Sequence, residues 1–292
     1  MTTVLVVGAG RMGSALVRAL LNKQFPVHVW NRTRARSEAL AQSGAKLASS
    51  IEQAAQASEV VIVNVLDYEA ANSLLRTASV AAALKGKALV QVTSGSPEQA
   101  RESGQWAREH GIAYLDGAIM ATPNFIGSAG GTTLYAGSRA IFDQHQQVLH
   151  ALGTAAHVGE DVGHASALDI ALLSQMWGTL FGTLQATAVC EAEGLDLMTL
   201  DQHWKPFKPI VDAALDDLMT RTRERRYRAD ASTLASIAAH YSAFQHLLST
   251  AQTRGLNPVL PAAFDGLFKA AIDDGYLTDD FAALAPYLAR RP

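Results

Sequence analysis

Three features set the architecture of this chain. Short β-rich runs alternate with helical patterns through the first 160 residues, a glycine-rich turn directly follows the first run, and strand-like runs disappear beyond Gly163. Together they specify an α/β protein with an N-terminal doubly wound parallel sheet, a long interdomain helix and an all-helical C-terminal domain. Val4–Val7 is the first strand and runs into Gly8-Ala9-Gly10. Residues 15–21 read as a helix, Val27–Trp30 as a second strand and 34–42 as a second helix. Residues 60–65 (VVIVNV) are nearly all apolar, as in a strand covered on both faces by helices. Residues 88–92, 112–115, 132–135 and 155–158 read as further strands, and 97–110 as a helix with proline in its first turn. Residues 165–193 then run without proline, its two glycines lying mid-helix. A helix of that length spans roughly 43 Å, longer than a small domain is wide, so it links two domains or crosses a partner subunit. Further helices are expected over 209–223, 231–254 and 258–271. The boundary falls near residue 162, giving units 1–162 and 163–292, in keeping with a length of 292 residues.

Composition narrows the function classes. With 24 Lys and Arg against 27 Asp and Glu, the net charge is −3, which argues against a nucleic-acid partner. Hydrophobic residues make up 49% and charged residues 17%, ample material for a large core. The single cysteine, Cys190, excludes an intramolecular disulfide and reads as a small helical hydrophobe. No stretch has about 18 uninterrupted apolar residues, so no membrane span is expected. Met1-Thr2-Thr3-Val4 carries no charged leader, and the default is a cytoplasmic protein. No His/Asp/Glu cluster has metal-ligand spacing, so no metal is expected. The basic stretch Arg221, Arg223, Arg225, Arg226 and Arg228 reads as a solvated loop between helices, or as a contact with a partner chain.

The first turn carries the chemistry. Gly8-Ala9-Gly10-Arg11-Met12-Gly13 matches G-x-G-x-x-G between a strand and a helix, the context that makes the motif a dinucleotide site. Gly8 permits the tight turn, Gly10 lets a pyrophosphate approach the backbone, and Gly13 lets the helix pack on the strand. The end of the second strand selects the cofactor. An acid there binds a ribose 2′-hydroxyl, but this chain has Asn31-Arg32-Thr33-Arg34-Ala35-Arg36 and no acid until Glu38. Arg32 offers a planar fork of donors to a 2′-phosphate, Asn31 and Thr33 add hydrogen bonds, and Arg36 lies about one helical turn away. NADPH is therefore expected over NADH. Two further strand ends face a ligand in this topology: Val65-Leu66, apolar enough to line the adenosine or its ribose, and Thr93, which offers a hydroxyl near the nicotinamide.

The whole arrangement resembles the β-hydroxyacid dehydrogenase superfamily, with its N-terminal Rossmann domain, long central helix and helical C-terminal domain. That family carries a catalytic lysine six residues after the second glycine of the approach to the long helix. Here Gly159 and Gly163 are followed at that position by Asp169, and Leu172-Leu173-Ser174-Gln175 lacks the family's asparagine pair. Its substrate strand end reads Asp-Ala-Pro-Val-Ser-Gly-Gly, whereas this chain has Asp116-Gly117-Ala118-Ile119-Met120-Ala121-Thr122-Pro123. With GAGRMG (8–13), WNRT (30–33), TSGSPEQAR (93–101) and LDGAIMATP (115–123), the chain resembles imine reductases and reductive aminases over essentially its full length. The resemblance implies NADPH-dependent reduction of C=N bonds and a domain-swapped homodimer.

Charge explains the lysine-to-aspartate change. A carbonyl gains negative charge as hydride arrives, which an ammonium stabilises. A protonated imine is cationic, so a carboxylate stabilises it, by several kcal/mol at about 4 Å and intermediate dielectric, and can relay its proton. Asp169 is thus the expected catalytic residue; read alone, it is also an acid favouring a helix N-terminus. Leu173 and Met176 follow at i+4 and i+7, and Trp177 lies about 80° round the helix. These three, with Met120 and Ala121 at the strand end, are the expected apolar substrate wall, Trp177 being alternatively a core residue. His240 and His246 could each reach a substrate cleft or sit at the surface, and Trp204 reads as a packing anchor. The rivals to imine reduction are a 3-hydroxyacid dehydrogenase-like oxidoreductase and a non-catalytic NADPH-binding protein.

Overall fold

The computed structural model describes residues 2–289. In chain order the first half contains β1 (Val4–Val7), α1 (Arg11–Asn22), β2 (Val27–Trp30), α2 (Arg34–Ala41), β3 (Lys46–Leu47), α3 (Ile51–Gln56), β4 (Val60–Val63), α4 (Tyr68–Leu75), α5 (Ala78–Leu84), β5 (Ala88–Gln91), α6 (Pro97–Glu109), β6 (Ala113–Met120), β7 (Thr132–Gly137), α7 (Arg139–Ala151) and β8 (Thr154–Gly159). The second half contains α8 (Gly163–Ala192), α9 (Leu197–Glu224), α10 (Ile237–Arg254), α11 (Val259–Asp273) and α12 (Ala285–Ala289).

The strands form one sheet in the order β3-β2-β1-β4-β5-β6-β7-β8. Strand order reverses between β1 and β4, the place where α/β sheets bind ligands. Two apolar clusters cover the sheet. One gathers Val4, Val6, Leu16, Leu20, Ile62 and Val90, the other Leu5, Val7, Val61, Val63 and Leu89. Alternate residues of the same strands thus face opposite clusters, which is why these strands read as unbroken apolar runs.

The sheet departs from the expected all-parallel pattern at one pair, since β6 and β7 run antiparallel. Their connector, residues 121–131, holds only the 3-10 turn Pro123–Phe125, too little for a crossover helix. β6 also extends five residues past the expected 112–115, through Met120, with Gly117 set against the Tyr135 ring of β7. The two-residue β3 escaped notice because both its residues are exposed and leave no apolar pattern.

The chain packs as two compact units, one running through Met176 and one from Trp177. The opening turns of α8 belong to the first unit, where Ala165 packs with Ala118, Leu134 and Ala136 of β6 and β7. The second unit has its own core of Ile237, Phe268, Ala271, Ala283 and Leu284, flanked by Tyr241, Phe244 and Phe281.

Two expectations in the second unit need correction. α9 begins at Leu197, not near 209, capped by Asp196, whose carboxylate accepts from the Met198 amide, and it carries Pro206 and Pro209 within its length. Those prolines cost the helix backbone hydrogen bonds, which is why the sequence pattern places its start after them. The basic stretch is also not uniformly solvated, because Arg221 is completely buried among three carboxylates. Among the described residues no helix is long and apolar enough to cross a membrane, and no group of three or more His, Cys, Asp or Glu is arranged to hold a metal ion.

Candidate active site

The turn after β1 is built by close backbone approach. Gly8 has φ +110°, and a Cβ on it would lie 2.0 Å from the Asn64 carbonyl oxygen. A Cβ on Gly13 would lie 2.1 Å from the Gly8 carbonyl oxygen, so α1 can only meet the turn this closely at a glycine. Gly10 differs, since a Cβ there would meet nothing within 4 Å. Space is left open on the side where a ligand approaches. Gly10 caps α1 without a side-chain hydrogen bond, and the first turn holds no acid. The free amides and helix dipole are thus left for an anion.

A cleft of about 440 Å³ opens beside this turn, lined by Gly8, Gly10, Arg11 and Met12 from the turn, Asn31, Arg32, Thr33 and Arg36 after β2, and Val65 and Leu66 after β4. Arg34 is paired with Glu38 at 3.1 Å, whereas no ion pair occupies Arg32 or Arg36 among the described residues. Two unpaired guanidinium groups at the ribose end of the cleft are the cations a 2′-phosphate needs, and the cradle fits a phosphorylated dinucleotide. Asn31 serves the loop as well. Its Oδ1 accepts from the Ala9 amide at 2.8 Å and its Nδ2 donates to the Thr33 carbonyl at 2.8 Å, tying the glycine turn to the end of β2. Ala9 and Gly13 therefore shape the site from behind its surface. Sequence reasoning missed Trp30, Asn64, Ala70, Ser73 and Leu74, which also line the cleft. The last three come from α4, whose approach could have been inferred from the switch point.

Thr93 does not face the cleft. It is buried, its hydroxyl accepting from the Val65 amide at 3.1 Å and donating to Gln91 Oε1 at 3.2 Å. Its hydroxyl is spent on holding the Val65 strand end, and no free hydroxyl is presented.

Asp169 lies on α8 beyond its first turn, which contains no acid, so the dipole at the helix start is not what it serves. The helix start is held instead by Asp161, whose Oδ1 accepts from the Gly163 amide at 2.8 Å while Arg101 Nε donates to the same carboxylate. Asp169 is 9% exposed, and burial pushes its carboxyl above the ordinary range. Leu173 on the same face is half-buried, Met176 is exposed, and Trp177 begins the second unit with its ring exposed. Met120 is half-buried against the Ala118, Leu134, Ala136 and Ala165 group, and Ala121 follows, half-buried, where β6 ends. His240 lies in the second unit, its ring 4.6 Å from Phe281 and its pKa lowered by burial. His246 is exposed, and among the described residues Trp204 meets the ring of Phe207 alone, at 6.2 Å.

The largest omission of the sequence reading is Asp116. Fully buried on β6, it receives hydrogen bonds from Tyr68 Oη, from Tyr114 Oη at 3.2 Å, and from Ser166 Oγ at 2.9 Å, one turn before Asp169. Burial pushes its carboxyl up to about 7. An acid in the middle of an apolar strand was the available signal.

Comparison with known proteins agrees with this geometry. The model for the NAD binding domain of 6-phosphogluconate dehydrogenase matches residues 3–160, and that for the C-terminal domain of NADPH-dependent reductive aminase-like proteins matches 161–290. An NADPH-dependent reductive aminase of Aspergillus oryzae is 30% identical over 97% of this chain and 95% of its own. The imine reductase of Myxococcus stipitatus, solved with NADP+, is 52% identical with a TM-score of 0.93, covering 98% of this chain and 99% of its own. A variant of it, solved with NAD+, superposes with a TM-score of 0.97 at 50% identity over 99% of both chains. The reductive aminase of Aspergillus terreus, solved with NADPH and ethyl levulinate, is 30% identical with a TM-score of 0.87, again over 99% of both chains. Glycine cradle, unpaired arginines, the aspartate of the long helix and full-length similarity converge, and the chain belongs to the imine reductase and reductive aminase family, NADPH-dependent oxidoreductases acting on C=N bonds.

Proposed function

We propose that this enzyme reduces protonated imines to amines and also accepts a ketone together with an amine, with Asp169 as the acid that meets the iminium. The observation that carries this reading is a buried carboxylate where carbonyl-reducing relatives of the superfamily place a lysine, with burial strengthening its field at the iminium. Bound NADPH supplies the hydride to the C=N carbon. Asp169 holds the cationic nitrogen by charge and hydrogen bonding and keeps the iminium protonated until the carbon is reduced. Met120, Ala121, Leu173, Met176 and Trp177 supply apolar surface for a hydrophobic amine in place of groups that would anchor a carboxylate. His240 is a further candidate for that wall. Arg32 and Arg36 bind the cofactor's 2′-phosphate, and Thr93 supports the strand end beneath it. The ethyl levulinate complex of the A. terreus relative supports the ketone branch. Cytoplasmic location is part of the same proposal. So is a homodimer with exchanged domains: along α8, Leu172, Phe181 and Leu184 are exposed on different sides of the helix, apolar surface that a second copy would cover.

Loss of NADPH absorbance tests the activity. A cyclic pyrroline is expected to be consumed, and an equimolar ketone–amine mixture to be consumed more slowly, because condensation precedes reduction. Oxidation of 3-hydroxy acids with no imine turnover overturns the reading.

The cofactor assignment has its own test. Arg32→Ala removes charge-assisted hydrogen bonds worth about 1.5–3 kcal/mol. KM for NADPH is expected to rise about 10- to 100-fold, with KM for NADH changed less than threefold, as steady-state kinetics with both cofactors would show. Equal losses with both cofactors would move the 2′-phosphate away from Arg32.

A further inference from the structure

Asp116 is a carboxyl group with no exposure and no cation within ion-pair distance among the described residues. A buried acid is costly unless something compensates it, and here the compensation is three hydroxyl groups from three elements. Tyr68 donates from the start of α4, Tyr114 from two residues earlier on β6, and Ser166 from α8. The cluster is built into the ligand-binding end of the sheet. Asp116 sits opposite Gln91, the last residue of β5. Gly95, just beyond that strand, has no room for a Cβ, which would lie 2.3 Å from the Tyr68 ring. The groups facing Asp116 are therefore Tyr68, Tyr114, Ser166 and, one turn along α8 from Ser166, Asp169. Gln91 of β5 and Ala136 of β7, its register partners, carry no charge.

We propose that Asp116 is a positioning residue for Asp169: through Ser166 it fixes the turn of α8 that presents Asp169. This rests on Asp169 being the acid that meets the iminium. Charge on Asp169 disfavours ionisation of Asp116, whereas the rise at Asp169 comes from its burial, which the position of this turn sets. Burial already raises both, and each hydroxyl bonded to Asp116 opposes that rise.

The test follows aspartate side-chain carboxyl signals by NMR across pH in the NADP+-loaded enzyme, beside the pH profile of kcat/KM for a pyrroline. In Asp116→Asn and in Ser166→Ala, which release the turn, the Asp169 carboxyl meets more water, and its titration and the acid limb of the profile are expected to move down by about half a pH unit. In Tyr68→Phe, which removes one donor, the Asp116 titration is expected to move up by about one unit. A purely structural role would lower rate or melting temperature and leave both titrations in place, and that result overturns the proposal. If Asp116→Asn does not fold, an unmoved Asp169 titration in Ser166→Ala overturns it equally. Full imine reduction by Asp169→Asn would instead remove the catalytic reading of Asp169, while the shift of the Asp169 signal in Asp116→Asn and Ser166→Ala is still read independently.

Discussion

Replacing Asp169 with alanine is expected to lower kcat/KM for a preformed cyclic imine by about 10²–10⁴-fold, the range spanned by loss of a positioned acid or base. The Kd for NADPH should stay within a factor of two, because Asp169 does not line the dinucleotide cleft. Asp169→Lys should lose at least as much activity, since it sets one cation against another. The lysine variant discriminates between mechanisms. If the residue acted only by shape, lysine would be tolerated as well as alanine; if it acted only as a proton donor, lysine would retain more rate than alanine at high pH. The sign with pH follows from burial. The carboxyl is raised from its ordinary value, so the form that stabilises an iminium appears only above that raised pKa, while the iminium itself disappears as pH climbs past the imine's own pKa. The wild-type profile is expected to be bell-shaped, with an acid limb above the range of an exposed aspartate, and that limb should vanish in Asp169→Ala. Wild-type rates in both variants, measured by NADPH consumption, would take Asp169 out of the reaction.

What could be read from the sequence and what could not divide along a physical line. Backbone-determined features were legible. The glycine turn is one because Gly8 and Gly13 leave no space for a side chain. The central strands are another because both their faces are buried. The long helix is a third because nothing in it breaks a helix before Glu193. The arginines after β2 were legible as a charge pattern, and the unpaired state of Arg32 and Arg36 agrees with the use assigned to them. Features that depend on distant side chains were not legible. Asp116 meets Tyr68 and Ser166 across 48 and 50 residues, and the buried position of Thr93 depends on Val65, 28 residues away. The antiparallel β6–β7 pair was misread because alternation of strand and helix was taken as uniform, although residues 121–131 hold no helix able to make a crossover.

Arg221 is the sharpest case, and its replacement should have the largest effect on stability. Its side chain is fully buried and meets Asp217 at 3.0 Å from the preceding helical turn, Asp230 at 2.9 Å from the loop after α9, and Asp280 at 3.2 Å from the segment before α12. Ser232 Oγ accepts a further bond at 2.8 Å. Asp280 is itself buried, its carboxylate accepting from the Ala282 amide at 2.9 Å, and its backbone pairs with Ser236 just before α10. One guanidinium thus fastens three separate stretches of the second unit. A planar fork of five donors can reach all three acids, and a lysine ammonium cannot. Arg221→Met leaves Asp280 charged, buried and without its cation, which costs about 3 kcal/mol, near the low end for a broken buried pair because Asp217 and Asp230 keep some contact with water. Melting should fall by roughly 6–12 °C, and Arg221→Lys should recover less than half of that. Acid dependence gives a second reading with a fixed sign. Hydrogen bonding to Arg221 holds the Asp230 carboxyl well below the usual range, so that interaction contributes fully above the unfolded-state value near 4 and is lost as pH falls towards the folded one. The wild type should therefore lose stability on acidification through this range, while Arg221→Met, already without the interaction, should show a flatter acid limb. Equal melting temperatures for wild type and Arg221→Met at neutral pH would mean that the three carboxylates hold their places without the guanidinium.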